Sequence, residues 1–196
     1  MPLSTTGKNN LIAVTSFTHV TGITALPGTE TTPSTRQALT WAAASGGTRA
    51  ISAQATIPIA AGQTIAAVAV YDALTVGNIQ GYFQIGSALR GAATVSAVGV
   101  ATSVGHGLAT DDRVFVTAVA GDALPTGFAI DTLYFVRATG LTADSFSLAT
   151  TSGGAAVGSV AGELAWFRTV PQTFAIAGNL ILPVTTGLVI DVTAFG

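Results

Sequence analysis

No segment of this 196-residue chain runs far before a turn signal stops it. Leu26-Pro27-Gly28, Ser45-Gly46-Gly47, Ala60-Ala61-Gly62, Gly77-Asn78, Leu124-Pro125-Thr126-Gly127, Ser152-Gly153-Gly154 and Ala177-Gly178-Asn179 interrupt it in turn. Turns spaced roughly 8–12 residues apart belong to a sandwich or a barrel. Between them the hydrophobic period is two. Gln63 to Asp72 and Asn179 to Val184 are β-branched and apolar, with Gly or Pro on either side. Arg113 to Thr117 and Leu133 to Arg137 read as strands as well, and Ser145 to Thr150 alternates polar and apolar like a strand with one wet face. The best helical candidate is Ser4 to about Val14, capped by Ser4 or Thr5. Gly7 and Asn9-Asn10 oppose it, so the chain is expected to be all-β.

Two passages echo one another, Ala55 to Ile65 and Gln172 to Leu182. Each has a strand, a Gly-centred turn and a returning strand, and each reads as a hairpin. Between them, from about Gly91 to Trp166, lies a stretch holding six of the nine acidic residues (Asp111, Asp112, Asp122, Asp131, Asp144 and Glu163) with its own strand and turn signals. The expected architecture is a discontinuous β-sandwich, jelly-roll-like, from residues 1–91 plus 166–196, with a small β-barrel-like domain inserted over residues 92–165. One core is expected to gather Trp41, Val68, Val70, Phe174, Ile176, Leu182 and Ile190. The ends of the insert, near Gly91 and Trp166, must lie close together to interrupt a continuous strand path.

Charge is scarce: Asp, Glu, Lys and Arg make up 8% of the chain, where about a quarter is usual. A free monomer relies on hydrated charge to stay apart from its neighbours, so the composition suits a protein that lives in an assembly. The mean hydropathy of +0.61 does not imply a membrane span, because no run reaches the roughly 18 apolar residues required. With no cysteine, disulfides and thiolate chemistry are out. Seven cationic residues form no basic stripe for nucleic acid. Nothing in Met1 to Lys8 resembles a secretion signal, and the expectation is a chain made and used in the cytoplasm or released by lysis.

The central stretch resembles a small all-β module that recurs in tailed-bacteriophage virion proteins. The residues that carry the likeness are His106-Gly107-Leu108, Asp112-Arg113-Val114, Leu124-Pro125-Thr126-Gly127, Tyr134-Phe135-Val136 and Ser145 to Ala156. The flanks, through Leu3-Ser4-Thr5, Thr18-His19-Val20, Arg36 to Gly47 and Val70-Tyr71-Asp72, resemble a family of small siphophage-type minor tail or virion structural proteins. In that family a strand like Gly81 to Gln84 leads almost directly to the hairpin found here as Pro171 to Val184. The resemblance implies a non-enzymatic component of the virion, assembled in the host cytoplasm, whose partners are itself and other virion proteins. It leaves open a tail or tail-tip position, a capsid decoration protein, and a receptor- or glycan-binding module of the tail tip.

Catalytic chemistry finds few residues to stand on. Every imidazole-dependent scheme rests on His19 or His106. His106, between glycines, reads better as a turn residue whose ring bonds backbone, and His19 as a packed strand residue. Asp111 and Asp112 form the one carboxylate doublet; adjacent strand residues face opposite ways and cannot share a substrate. With Asp122 they lack the spacing of a calcium loop. Ser45-Gly46-Gly47-Thr48 lacks the Gly-Lys-Ser/Thr ending of a phosphate loop. Trp41, Trp166, Tyr71, Tyr82 and Tyr134 would suit a sugar platform if exposed and a core if not. The expectation is no catalytic residue, no cofactor and no metal.

Overall fold

A computed structural model describes residues 17–26, 28–30, 35–119, 122–130, 132–184 and 188–191. The helix expected over Ser4 to Val14 lies outside them. The described residues form seventeen strands and no helix. In chain order, β1 to β8 are His19–Ala25, Thr29–Glu30, Gln37–Ala38, Thr48–Ala50, Ala55–Ile59, Gln63–Ile65, Ala67–Tyr71 and Ile79–Phe83. Then β9 to β14 are Arg90–Val95, Val100–Thr102, Arg113–Ala118, Leu133–Val136, Ser145–Ala149 and Gly162–Thr169, and β15 to β17 are Gln172–Phe174, Gly178–Leu182 and Val189–Asp191. Two compact units result. One holds the described residues of Met1–Thr24, Gly28–Phe83 and Thr173–Gly196; the other holds Gln84–Gln172 with the described residues of Ala25–Pro27.

The first unit centres on a sheet ordered β2-β1-β7-β8, with β3 also paired to β1. Its middle strand β7, Ala-Val-Ala-Val-Tyr, is buried at every position, as a strand covered on both faces must be. Val70 stands opposite Val20 and Val68 opposite Gly22. Ile59 and Ile65 reach that row from the neighbouring ribbon, and a Cβ on Gly22 would stand 3.2 Å from Ile65 Cγ2.

The ribbon is nested. β4 pairs with β17, β5 with β16 and β6 with β15, so that Thr48 meets Asp191, Ile59 meets Gly178, and the Thr64 and Thr173 hydroxyls lie 2.9 Å apart. This is the wiring of a jelly roll, in which a long two-armed ribbon folds over itself. It also corrects the reading of two hairpins: the two echoing passages pair with each other, strand for strand, and the Gly-centred turns only bend the ribbon. Period two shows that a strand has one buried face; it does not identify its partner.

The second unit is a closed six-stranded barrel in the order β10-β13-β12-β11-β14-β9. Alternate residues point inward and fill it, as expected for so few strands. Trp166, Tyr134, Phe146, Leu148, Leu164, Val114 and Val136 make the centre, with Leu108 and Phe128 beside them. Phe146 and Trp166 meet edge to face at 5.9 Å, and the Tyr134 hydroxyl accepts the Ala129 N–H at 2.8 Å. Beneath the indole lies Gly91, the direct cross-strand partner of Trp166. The barrel strands begin at Arg90 and end at Thr169, so its limits lie outside residues 92–165: the ladder between β9 and β14 claims both ends. Next to it the Val170 N–H donates to the Ile85 carbonyl at 2.8 Å, bringing entry and exit together.

The expected single core of the first unit holds only in part. Val68, Val70 and Leu182 are buried. Trp41, Phe174 and Ile190 are half-buried. Ile176, on the bend between β15 and β16, is 80% exposed: the strand ends at Phe174, two residues before it.

Candidate functional site

Several of the polar residues singled out above hold turns. Gly105 and Gly107 have φ of +62° and +66°, a backbone path that leaves His106 pointing into the barrel. Its Nδ1 accepts the Leu108 N–H at 2.9 Å, which assigns the neutral tautomer with Nε2–H facing the Ser145 carbonyl at 3.3 Å. Phe146 and Trp166 pack on the ring at 5.0 and 6.5 Å. A buried imidazole with both nitrogens spent on backbone is a packing residue. His19 lies on β1, with Nδ1 2.8 Å from the Thr18 hydroxyl.

Asp111 and Asp112 precede β11 and diverge. Asp111, at φ +64°, accepts from the Ser152 hydroxyl at 2.6 Å. Asp112 caps the turn by accepting the Ala109 N–H at 2.8 Å and lies 2.8 Å from Arg168 Nε, an ion pair rather than an aligned hydrogen bond. Asp144 accepts the Gly105 N–H, Asp122 is exposed, and Asp131 lies outside the described residues. Among the described residues no three His, Cys, Asp or Glu side chains gather where a metal would need them.

Except for Arg90, which is exposed, the arginines are spent internally too. Arg36 lies 3.6 Å above the Tyr71 ring, pairs with Glu30 at 2.7 Å and donates to the Ala73 carbonyl. Burial, then the Glu30 charge, push the Tyr71 hydroxyl up to about 12, against the opposing pull of Arg36. Arg49 donates to the Ala42 carbonyl, Arg137 to that of Gly154, and Arg113 lies against Phe135. Of the five aromatics suited to a sugar platform, Trp166, Tyr134 and Tyr71 are buried, while Trp41 and Tyr82 are half-buried. Trp41 donates its indole N–H to the Phe17 carbonyl at 2.6 Å.

Apart from a few charged side chains such as Arg90, Asp122, Asp144 and Glu163, the surface is uncharged and partly apolar. Leu74, Val76, Val98, Val104, Val160, Ile176, Ile181 and Val184 are all exposed. Val76 is 99% exposed at φ +55°, an unfavourable backbone for a β-branched residue. The Asp72 carboxylate fixes its loop by accepting the Asn78 N–H at 2.7 Å and the Gln80 amide at 3.0 Å. Sequence reasoning passed over Ile181 and Val184, although the signal was present: no charged residue occurs between Arg168 and Asp191.

Compared with protein-family models, with curated proteins and with solved structures, the chain has no match in any of the three.

Proposed function

We propose that this chain is a non-enzymatic structural component of a tailed-phage virion, most readily of the tail or tail tip, that assembles through low-charge β surfaces. One observation carries the reading: apolar side chains such as Val76, Val98, Val104 and Ile176 stand out into solvent on a molecule with seven cationic and nine acidic residues. Exposed apolar groups with little charge among them are what an interface between proteins leaves when its partner is removed. Trp166 and Tyr134, the barrel's candidates for a glycan platform, lie in its core instead, which favours a scaffold over a sugar reader.

Light scattering across a salt series tests it. Apolar burial and edge pairing are not screened by salt, so the assembled mass should hold or grow as ionic strength rises. A monomer at every concentration and salt overturns self-assembly. Electron microscopy of particles labelled on this protein distinguishes tail from head.

A further inference from the structure

The ribbon formed by β5 and β16 has two outer edges, and they differ. In an antiparallel ladder, opposed pairs alternate between those that exchange two hydrogen bonds and those that exchange none. Pro58 has no N–H to give, so its pair with Asn179 is of the second kind, and so is the next alternate pair, Thr56 with Ile181. The bonded pairs are then Ile59 with Gly178, Ile57 with Leu180, and Ala55 with Leu182. The N–H and C=O groups of Asn179 and Ile181 therefore point away from β5, and among the described residues no hydrogen bond occupies them.

Native edges are normally blunted by proline or charge. The edge of β5 has Pro58. The edge of β16 has neither within the strand, and Ile181 on it is 52% exposed, with Ile176 and Val184 flanking. We propose that β16 is the site where a second copy of this chain adds its own β16, antiparallel, about a two-fold axis through Leu180; this rests on the self-assembling reading above.

Three features select a copy as the occupant. The two outward pairs sit symmetrically about Leu180, so Asn179 of one copy meets Ile181 of the other and both exchange two hydrogen bonds, as an isologous contact requires. Like charges facing each other across a symmetric pair would forbid it, and β16 carries none. Leu180, already buried, stands beside its own mate and extends the buried row across the axis.

Sedimentation of the full chain tests this with two variants. Asn179→Pro removes one outward N–H at a register position the ladder already tolerates as Pro58. Ile181→Lys supplies the missing edge charge. The expected result is a wild type that sediments as a dimer or a multiple of it, and variants of half that mass with unchanged circular dichroism. In the wild type, amide exchange at Asn179 and Ile181 should be slow when assembled and fast on dilution. Variants of unchanged mass, or fast exchange at both amides in the assembled protein, place the contact elsewhere and overturn the proposal while self-assembly stands. A wild type that is monomeric throughout overturns both. Should the variants fail to fold, the exchange measurement on the wild type decides.

Discussion

Replacing Gly91 by Ala puts a methyl group 3.0 Å from Trp166 Cζ2 and 3.1 Å from Cε2 and Nε1. The indole cannot retreat, because it is 2% exposed and held by Phe146 and His106 edge to face. Overpacking of this sort costs about 1–3 kcal/mol. The reduced freedom of the unfolded chain returns about 0.4–1 kcal/mol, for a net loss of about 1–2. Trp166→Ala alone should cost about 3–5 kcal/mol. In that background the Gly91 methyl has room, and the same substitution should become neutral or slightly stabilising, a coupling of about 2 kcal/mol where independent sites would add to within about 0.5. Calorimetry of the four proteins gives the cycle. For a domain of this size each kcal/mol moves the melting point by about 4–8 °C. Trp41, the other tryptophan, belongs to the first unit and should report no change. Additive losses would refute the fit of glycine to indole.

His106→Ala should cost more than a surface turn would, about 2–4 kcal/mol, since it strands the buried Leu108 N–H and empties a space against two aromatic rings; urea unfolding followed by Trp166 fluorescence measures it. Raising the pH should destabilise the first unit between about 10 and 12. The folded Tyr71 hydroxyl holds its proton to about 12 against an ordinary 10.0, so its contribution is whole below 10 and lost as pH climbs toward 12. Tyr71→Phe should remove that component from an alkaline titration. Replacing residues 86–169 by a short Gly/Ser turn should leave the first unit folded, because Ile85 and Val170 already lie side by side; circular dichroism showing both fragments unfolded would refute the division into units.

The barrel was the most legible part of the sequence. Arg113–Ala118, Leu133–Val136 and Ser145–Ala149 fall where the apolar pattern and turn residues placed them, but the wet face expected of Ser145 to Thr150 is absent at Ser147 and Ala149, which are buried together with Phe146 and Leu148. Pairing partners were not legible. Gln63 to Asp72 reads as one strand, yet it breaks at Ala66, whose N–H bonds Ile23; β6 before the break joins β15 and β7 after it joins β1. The roles of His106, Asp112 and Asp144 as turn residues follow from their glycine and threonine neighbours. The open edge at β16 could be found only once Pro58 was known to stand opposite Asn179, a contact that spans most of the chain.

The nested ribbon has a consequence for synthesis on the ribosome. Thr64 and Thr173 are 109 residues apart, so at about 5–20 residues per second the first arm waits about 5–20 s for the second. The barrel in between is contiguous and can close as soon as it has emerged. Meanwhile the arm from Ala50 to Ile65, without one charged residue, stays unpaired among neighbouring nascent chains on the same message. Each neighbour carries the same missing arm, and exchange between them would produce intertwined dimers with the ribbon intact. A chaperone that masks this arm until residue 191 is made should therefore raise the yield of correctly closed protein more than one acting on the barrel.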